Sequence, residues 1–207
     1  MFAVGALATW AAGELFGHQL VGGIGSTANG VGAIGTGISL MAFGPWGIAA
    51  GILMIGIGVA TAGFGVNEVV DNFTGTNYIQ SWGMSDSLYN GLYIGLNIAS
   101  GIGQIAGNIG MRYASNRILN SIVSDPTKVQ KYNLWQMKTY GRYTTQYNVG
   151  ALTRGSHKGQ GYTLTNKVNP SNGYIQWHPG SRWHFNGSPY WKVTSGLGGT
   201  WRGLYLF

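Results

Sequence analysis

All twelve basic residues of this 207-residue chain lie at or beyond Arg112, and residues 111–207 hold a single carboxylate side chain, Asp125. That stretch carries a net +11, whereas residues 1–110 carry Glu14, Glu68, Asp71 and Asp86 without one Lys or Arg, a net −4. Such a division describes two objects on one chain, and a basic half of this kind points to a nucleic-acid or membrane partner. The length accommodates two small domains, and the change in composition predicts an apolar helical region over 1–123 and a basic domain over 124–207.

The shortage of carboxylates excludes whole reaction classes from the basic half. A glycosidase needs two, an aspartic protease needs a dyad, and a two-metal phosphoesterase needs several. With no cysteine in the chain, thiol nucleophiles and Cys-containing zinc sites are excluded too. His, Lys, Arg, Tyr, Ser and Thr remain, a set suited to handling phosphate without a metal or cofactor.

Leu15 to Asn67 contains no Asp, Glu, Lys or Arg. Met1–Glu14 has no basic segment ahead of this apolar stretch, so it does not read as a signal peptide. Pro45 in Phe43-Gly-Pro-Trp-Gly47 interrupts the run, because proline lacks an N–H and restricts its predecessor. Helices are predicted at 26–43 and 46–70, joined as a hairpin, the second long enough to cross a hydrocarbon core that takes roughly 20 residues. Gly47 and Gly51, Gly91 and Gly95, and Gly103 and Gly107 recur at the spacing that lets helix backbones approach closely. Glycine costs about 1 kcal/mol against alanine in a water-exposed helix, so the glycines need close packing to offset them. Two readings stay open here: a soluble Gly/Ala-rich bundle, or a segment making transient membrane contact through residues 26–70. His18 reads as an ordinary helix residue.

After the caps Ser85 and Asp86, the positions Leu88, Leu92, Leu96, Ala99, Ile102, Ala106, Ile109 and Tyr113 follow a helical stripe to about Val123. Ser124-Asp125-Pro126 stops it and starts a basic helix over 126–140. Short strands follow at 161–168, 174–178, 189–195 and 200–207, with turns at Asn169–Gly173, Pro179-Gly180, Asn186-Gly187 and Gly196–Gly199. Helices before strands predict an α+β fold: a Gly/Ala-rich hairpin and a long helix, then a helix with an antiparallel sheet of about four strands.

Alternation sorts the strand residues onto faces. Ile175, Trp177, Trp191 and Val193 fall on an apolar face; Gln176, His178, Tyr190, Lys192 and Thr194 fall on the other, with Arg182 and His184 in the connection between the strands. This set suits RNA transesterification. Two histidines can divide the base and acid roles, Lys192 and Arg182 can hold phosphate charge, and Tyr190 and Thr194 can donate to its oxygens. His157, in Arg154-Gly-Ser-His-Lys158, is a third candidate on a loop, and nearby Trp and Tyr rings are candidates to stack bases. A zinc ion on His157, His178 and His184 is the rival reading, weakened by the absence of a carboxylate to orient the rings.

The run Tyr174-Ile-Gln-Trp-His-Pro-Gly-Ser-Arg-Trp-His-Phe-Asn-Gly-Ser-Pro-Tyr-Trp-Lys-Val-Thr-Ser195 resembles the C-terminal toxin modules of bacterial polymorphic toxins. The Gly-rich segment, with Asn72-Phe-Thr-Gly-Thr-Asn77 and Met84-Ser-Asp-Ser-Leu-Tyr-Asn-Gly-Leu-Tyr93, looks like the pre-toxin region ahead of such modules. The resemblance implies an interbacterial effector, secreted or delivered into a target cell and acting in its cytoplasm, with a cognate immunity protein expected to be acidic. Many such modules are similar to the barnase, EndoU and RelE group of metal-independent ribonucleases, and the likeness falls on His178, Arg182, His184, Tyr190, Lys192 and Thr194. It also implies that this chain is a C-terminal piece or a displaced cassette. Cleavage of RNA, tRNA among the targets, is therefore the expected activity. A pore-forming toxin acting through the hairpin and a non-catalytic nucleic-acid-binding module are the alternatives, and the oligomeric state stays open.

Overall fold

The computed structural model describes residues 12, 14, 17–171, 173–195 and 199–207; the expected turn at Gly196–Gly199 lies largely outside them, as does Asn172 of the turn before β3. The fold is α+β. Helix α1 (His18–Leu40) runs into a 3-10 turn (Met41–Phe43), then α2 (Gly44–Thr74), a single turn α3 (Tyr78–Ser81) and the long α4 (Asp86–Ser124). A 3-10 segment (Pro126–Lys131), α5 (Leu134–Tyr143) and five strands complete the chain. Its internal contacts divide it into Met1–Gly107 and Asn108–Phe207, so the boundary falls inside α4 rather than at the helix end near 123.

In the first unit the hairpin begins earlier and ends later than the expected 26–70. Gly44, at φ 82°, makes the left-handed turn, and Pro45 opens α2 where a missing N–H costs nothing. The two helices meet along a seam of glycines seven apart: Gly23, Gly30 and Gly37 oppose Gly65, Gly58 and Gly51. A Cβ added at any of the six would lie 2.5–2.8 Å from backbone of the facing helix. Of the pairs noted in the sequence, Gly47 and Gly51 meet the hairpin partner and Gly103 and Gly107 meet Met54 and Thr36, whereas Gly91 and Gly95 face open space. A seven-residue period drifts only about 20° per repeat on an α-helix, so three glycines so spaced stay near one face over the hairpin's length.

The N-terminal half of α4 lies along this hairpin, and the junction is polar. Ser26 donates to Tyr93 at 2.6 Å, Asn29 donates to the Asn97 carbonyl at 3.0 Å, and Gln104 donates to Asn29 Oδ1 at 2.7 Å. Thr61 reaches the Leu96 carbonyl at 3.3 Å, and Asn67 donates to Tyr89 at 2.9 Å. The stripe through Leu88, Leu92, Ile102, Ile109 and Tyr113, which the sequence marks as apolar, is exposed.

The second unit is built in the usual sense, apolar inside. Trp191, Met111, Leu119, Ile122, Met137, Leu164, Ile175 and Val193 are among its fully buried side chains, each worth about 1.5–3 kcal/mol of burial. The expected helix over 126–140 splits in two. Asp125 caps the 3-10 segment through Thr127, and Asn133 with Gln136 forms a capping box that restarts the chain as α5. The sheet has five strands rather than four, because Tyr147–Gly150 adds an edge strand. The order is β1(Tyr147–Gly150), β2(Tyr162–Asn166), β3(Tyr174–His178), β4(Tyr190–Ser195), β5(Gly199–Leu204), each antiparallel to the next. On the apolar face, Tyr162 donates to the Met137 carbonyl and Gly141 of α5 has no room for a Cβ against Tyr162 and Leu164.

Candidate functional site

Register decides which side chains share the polar face, since directly paired residues project the same way. Tyr174 pairs with Thr194, Gln176 with Lys192 and His178 with Tyr190. On the outer side Lys192 pairs with Arg202 and Thr194 with Thr200; on the inner side Thr163 pairs with Gln176 and Thr165 with Tyr174. The face anticipated from alternation therefore forms, with additional members.

The β1–β2 loop folds over one end of this face. Gly159 N–H donates to the Leu152 carbonyl at 2.8 Å and Leu152 N–H to that of Gln160 at 2.9 Å, and the Leu152 side chain is buried. The loop then walls two concavities that share the His178-Pro179 corner. A cleft of about 530 Å³ holds Arg154, Tyr174, Gln176, His178 and Lys192; its neighbour of about 630 Å³ holds His157, Gly180, Arg182 and Trp183. Gly180 belongs there for a steric reason: at φ 126° a Cβ would run into the Gly187 carbonyl. The Pro-Gly and Asn-Gly turns of the sequence are thereby locked together.

His178 is the hinge of the site. Its ring stacks flat on Tyr190, with centroids 4.7 Å apart and planes 7° from parallel. Nε2 is buried and has no hydrogen-bond partner among the described residues. Burial first, then the positive charges of Lys192, His157, His184 and Arg202, push its pKa down to about 4. At neutral pH it is an uncharged imidazole whose buried Nε2 is left unpaired among the described residues.

Tyr190 itself is 3 % exposed, and burial raises its phenol above the ordinary value against a smaller lowering by Arg202. What it offers is a ring face. His184 meets it edge-on at 5.4 Å and Phe185 at 5.5 Å. Phe185 and Asn186 both take φ near 50°. That conformation is uncommon for a bulky side chain and costs on the order of 1 kcal/mol or more, so the connection holds His184 and Phe185 on the tyrosine under tension.

Lys192 lies with Nζ 5.1 Å from the Tyr174 ring centroid. Burial acts to raise the Tyr174 phenol, but hydrogen bonding to Thr194, Lys192 and Thr200, with the lysine charge, outweighs it and the pKa is lowered. Thr194 is buried, 3.4 Å from Thr200 Oγ1, so it acts on the cleft through Tyr174. In the neighbouring concavity His157 is 3.3 Å from Gln160 through Nδ1, Arg182 is exposed, and Trp183 is 82 % exposed. Trp177 and Trp191 sit on the apolar side instead, with Tyr205 edge-on to both at 5.9 Å, so only Trp183 of the three is open to a base.

Among the described residues no group of three His, Asp or Glu is arranged to hold a metal, and the zinc reading of His157, His178 and His184 has no assembled ligand set. Asp125 is engaged with Thr127 and Lys128. None of Arg154, Arg182, Lys192 and Arg202 has an acidic partner among the described residues. Sequence reasoning missed Tyr174, Arg154, Arg202 and Thr200. Tyr174 was within reach of the same alternation that selected Gln176, two residues on; Arg202 and Thr200 needed the β4–β5 register, and Arg154 needed the loop's fold. Compared with family models, curated proteins and solved structures, the chain matches none.

Proposed function

We propose that the basic unit is a metal-independent ribonuclease, the toxin part of an interbacterial effector that acts in the cytoplasm of a target cell. The observation that carries this reading is the cleft where His178, Tyr174, Gln176, Lys192 and Arg154 converge with no carboxylate among them. A phosphodiester supplies the negative charge that this cluster lacks. Its arrival beside Lys192 offsets the cations that add to burial in depressing His178, and so moves the imidazole upward, in the direction of the range where general bases work best.

In the proposed reaction the RNA strand crosses both concavities. Lys192, Arg154 and Arg182 share the phosphate charge, and the exposed Trp183 offers a base a stacking surface. His178 takes the 2′-hydroxyl proton as that oxygen attacks phosphorus. The bond to the 5′-oxygen breaks, His157 protonates the leaving oxygen, and a 2′,3′-cyclic phosphate remains. His184, Tyr190 and Thr194 position the reacting groups. A net +11 unit whose one carboxylate side chain is taken by Lys128 also suits an acidic immunity protein, which charge would steer to it.

The test is incubation of the full chain with total RNA in EDTA. Cleavage leaving cyclic phosphate ends, lost in His178→Ala, supports the reading; intact RNA overturns it, and binding without cleavage leaves the nucleic-acid-binding module instead. Activity that EDTA abolishes and zinc restores returns the metal reading.

A further inference from the structure

We infer that the helical unit is a bilayer-spanning bundle of three crossings, α1, α2 and the first half of α4, and that its partner is the hydrocarbon core of a phospholipid membrane. The inference stands apart from the nuclease reading, because none of the residues involved belongs to the cleft.

Four independent observations converge on it. First, the bundle is inside out by the standards of a protein in water. Asn29, Asn97, Gln104, Ser26 and Tyr93 bond one another between helices, while Ile98, Ile102, Ile105 and Ile109 of α4 are each more than half exposed. The hairpin behaves alike, with Ile24, Val31, Ile52, Leu53 and Val59 outward and six glycines inward. Inward polar groups and small-residue contacts are how helices associate in lipid, where aliphatic side chains need no cover.

Second, the uncharged lengths agree. Gln19–Phe43, Gly44–Asn67 and Ser87–Gly107 are 25, 24 and 21 residues without Asp, Glu, Lys or Arg, each about 31–38 Å as helix, enough to cross a core of about 30 Å. By length and composition together His18–Thr74 is apolar enough to cross a membrane, whereas α4 meets the length alone and relies on its packing against the hairpin.

Third, the ends of the three segments coincide. Gln19 bonds Asp71 at 2.7 Å, and Gln80 bonds Asp86 at 2.9 Å, so the four acidic residues of residues 1–110, Glu14, Glu68, Asp71 and Asp86, gather at the open end of the hairpin. Thr36 and Met54 meet Gly107 and Gly103 toward the other end, and the first basic residue, Arg112, follows directly on Met111. Fourth, exposed aromatics mark both boundaries: Trp46, 88 % exposed, at the hairpin turn, and Trp82 with Tyr78 at the open end, the placement that aromatic side chains favour at a membrane surface.

Three crossings put Glu14 and Arg112 on opposite faces of the membrane. The acidic end stays outside and the basic residues after Met111 take the inner face, in keeping with the bias of Lys and Arg toward the cytoplasmic side.

The experiment uses the full chain with vesicles of phosphatidylethanolamine and phosphatidylglycerol. Because the protein has no cysteine, Gln19→Cys and Trp46→Cys each introduce a single reporter. The protein is expected to float with the vesicles after an alkaline wash, with the two cysteines reacting with a membrane-impermeant maleimide from opposite sides. Ile102→Lys is expected to lower the washed, vesicle-bound fraction by more than about tenfold, whereas Asn90→Lys, near the end of α4's uncharged run, retains it. Reaction of both cysteines from the same side overturns the three-crossing arrangement. So does an Ile102→Lys protein that inserts normally, the outcome for a helix surface facing water. A vesicle-free oligomer of discrete size would identify a second copy as the cover and overturn it equally.

Discussion

The two units of this chain sort their side chains by opposite rules. In the sheet unit Leu164, Ile175, Trp191 and Val193 are buried, and charge lies outward. In the helical unit the buried positions are mostly Gly, Ser, Thr and Asn, with Ala33, Ala42, Met54 and Tyr89; no described isoleucine, leucine or valine of that unit is buried, and many are exposed. Helix propensity and strand pairing do not distinguish these cases; the medium does. Water drives apolar surface inward, whereas in lipid the association of helices falls to close packing and to hydrogen bonds between them. On the bilayer reading, one polypeptide built by both rules has to satisfy two solvents.

The sharpest way to break that comparison is to separate its two activities. His178→Ala is expected to reduce RNA cleavage by about 10²- to 10⁴-fold, the range of a general acid–base group, while leaving vesicle insertion as it was. Ile102→Lys is expected to do the reverse. Cleavage assays and vesicle flotation on the same two proteins decide it, and one variant that loses both would show the units to be functionally inseparable.

Next in size are two truncations of equally large aliphatic side chains. Leu164→Ala in the sheet empties a site with no solvent exposure and is expected to cost about 2–5 kcal/mol of unfolding free energy. Ile102→Ala, at 63 % exposure, is expected to change stability in detergent-free buffer by less than about 0.5 kcal/mol. Denaturant titration of both checks it. A large cost at Ile102 would mean that something in water already covers that face.

How much of this was legible in the sequence follows from the kind of signal each region carries. The charge division, the α4 helix and the pairing face of β3 and β4 were legible, because charge, capping and alternation are local. Tyr147–Gly150 was missed because four residues with a pairing edge but no buried alternation of their own carry little local signal. The 126–140 helix was drawn as one piece because the break at Tyr132-Asn133 depends on a capping box formed only once Gln136 folds back. The glycine seam was read at spacing four, where its real period is seven, and the outward direction of the α4 stripe could not be read at all. Periodicity reports that a helix has an apolar side, not which solvent that side meets. At the site the same limit applies: His178, Lys192 and Tyr190 share a face by alternation, but the burial of Tyr190 and the depressed pKa of His178 come from the loops folded over them.

That depressed pKa makes the sheet unit acid-sensitive in a defined window. A histidine of ordinary value near 6.5 in the unfolded chain and about 4 in the fold takes up its proton on unfolding. The unfolded state then binds more protons between those values, and stability falls as pH drops through them. Above about 6.5 both states are neutral and the effect vanishes. Since His178 is only half-buried, solvent screening reduces the contribution to about 1–2 kcal/mol. His178→Asn is expected to flatten the pH 4–6.5 part of the stability profile of the sheet unit, measured by tryptophan fluorescence. An inorganic phosphate titration is expected to shift the imidazole resonance of the native protein to higher pKa. A profile unchanged by the substitution would place the titrating group elsewhere.

The smallest effect tests whether the sheet unit is stabilised by ordinary water-soluble devices throughout. Asn133 caps α5 by accepting from Gln136 N–H at 2.9 Å, while Gln136 Oε1 accepts from Asn133 N–H at 3.0 Å. Asn133→Ala removes one half of that reciprocal pair and is expected to cost about 1 kcal/mol, read as a lower denaturant midpoint with an unchanged slope. Asn133→Asp keeps the acceptor and adds a charge that favours a helix N-terminus, so it is expected to match or exceed the parent. If both variants destabilise alike, the cap is not what starts α5, and the start must be assigned to the Leu134 N–H bond to Tyr205 at 3.2 Å, a tertiary contact rather than a local signal.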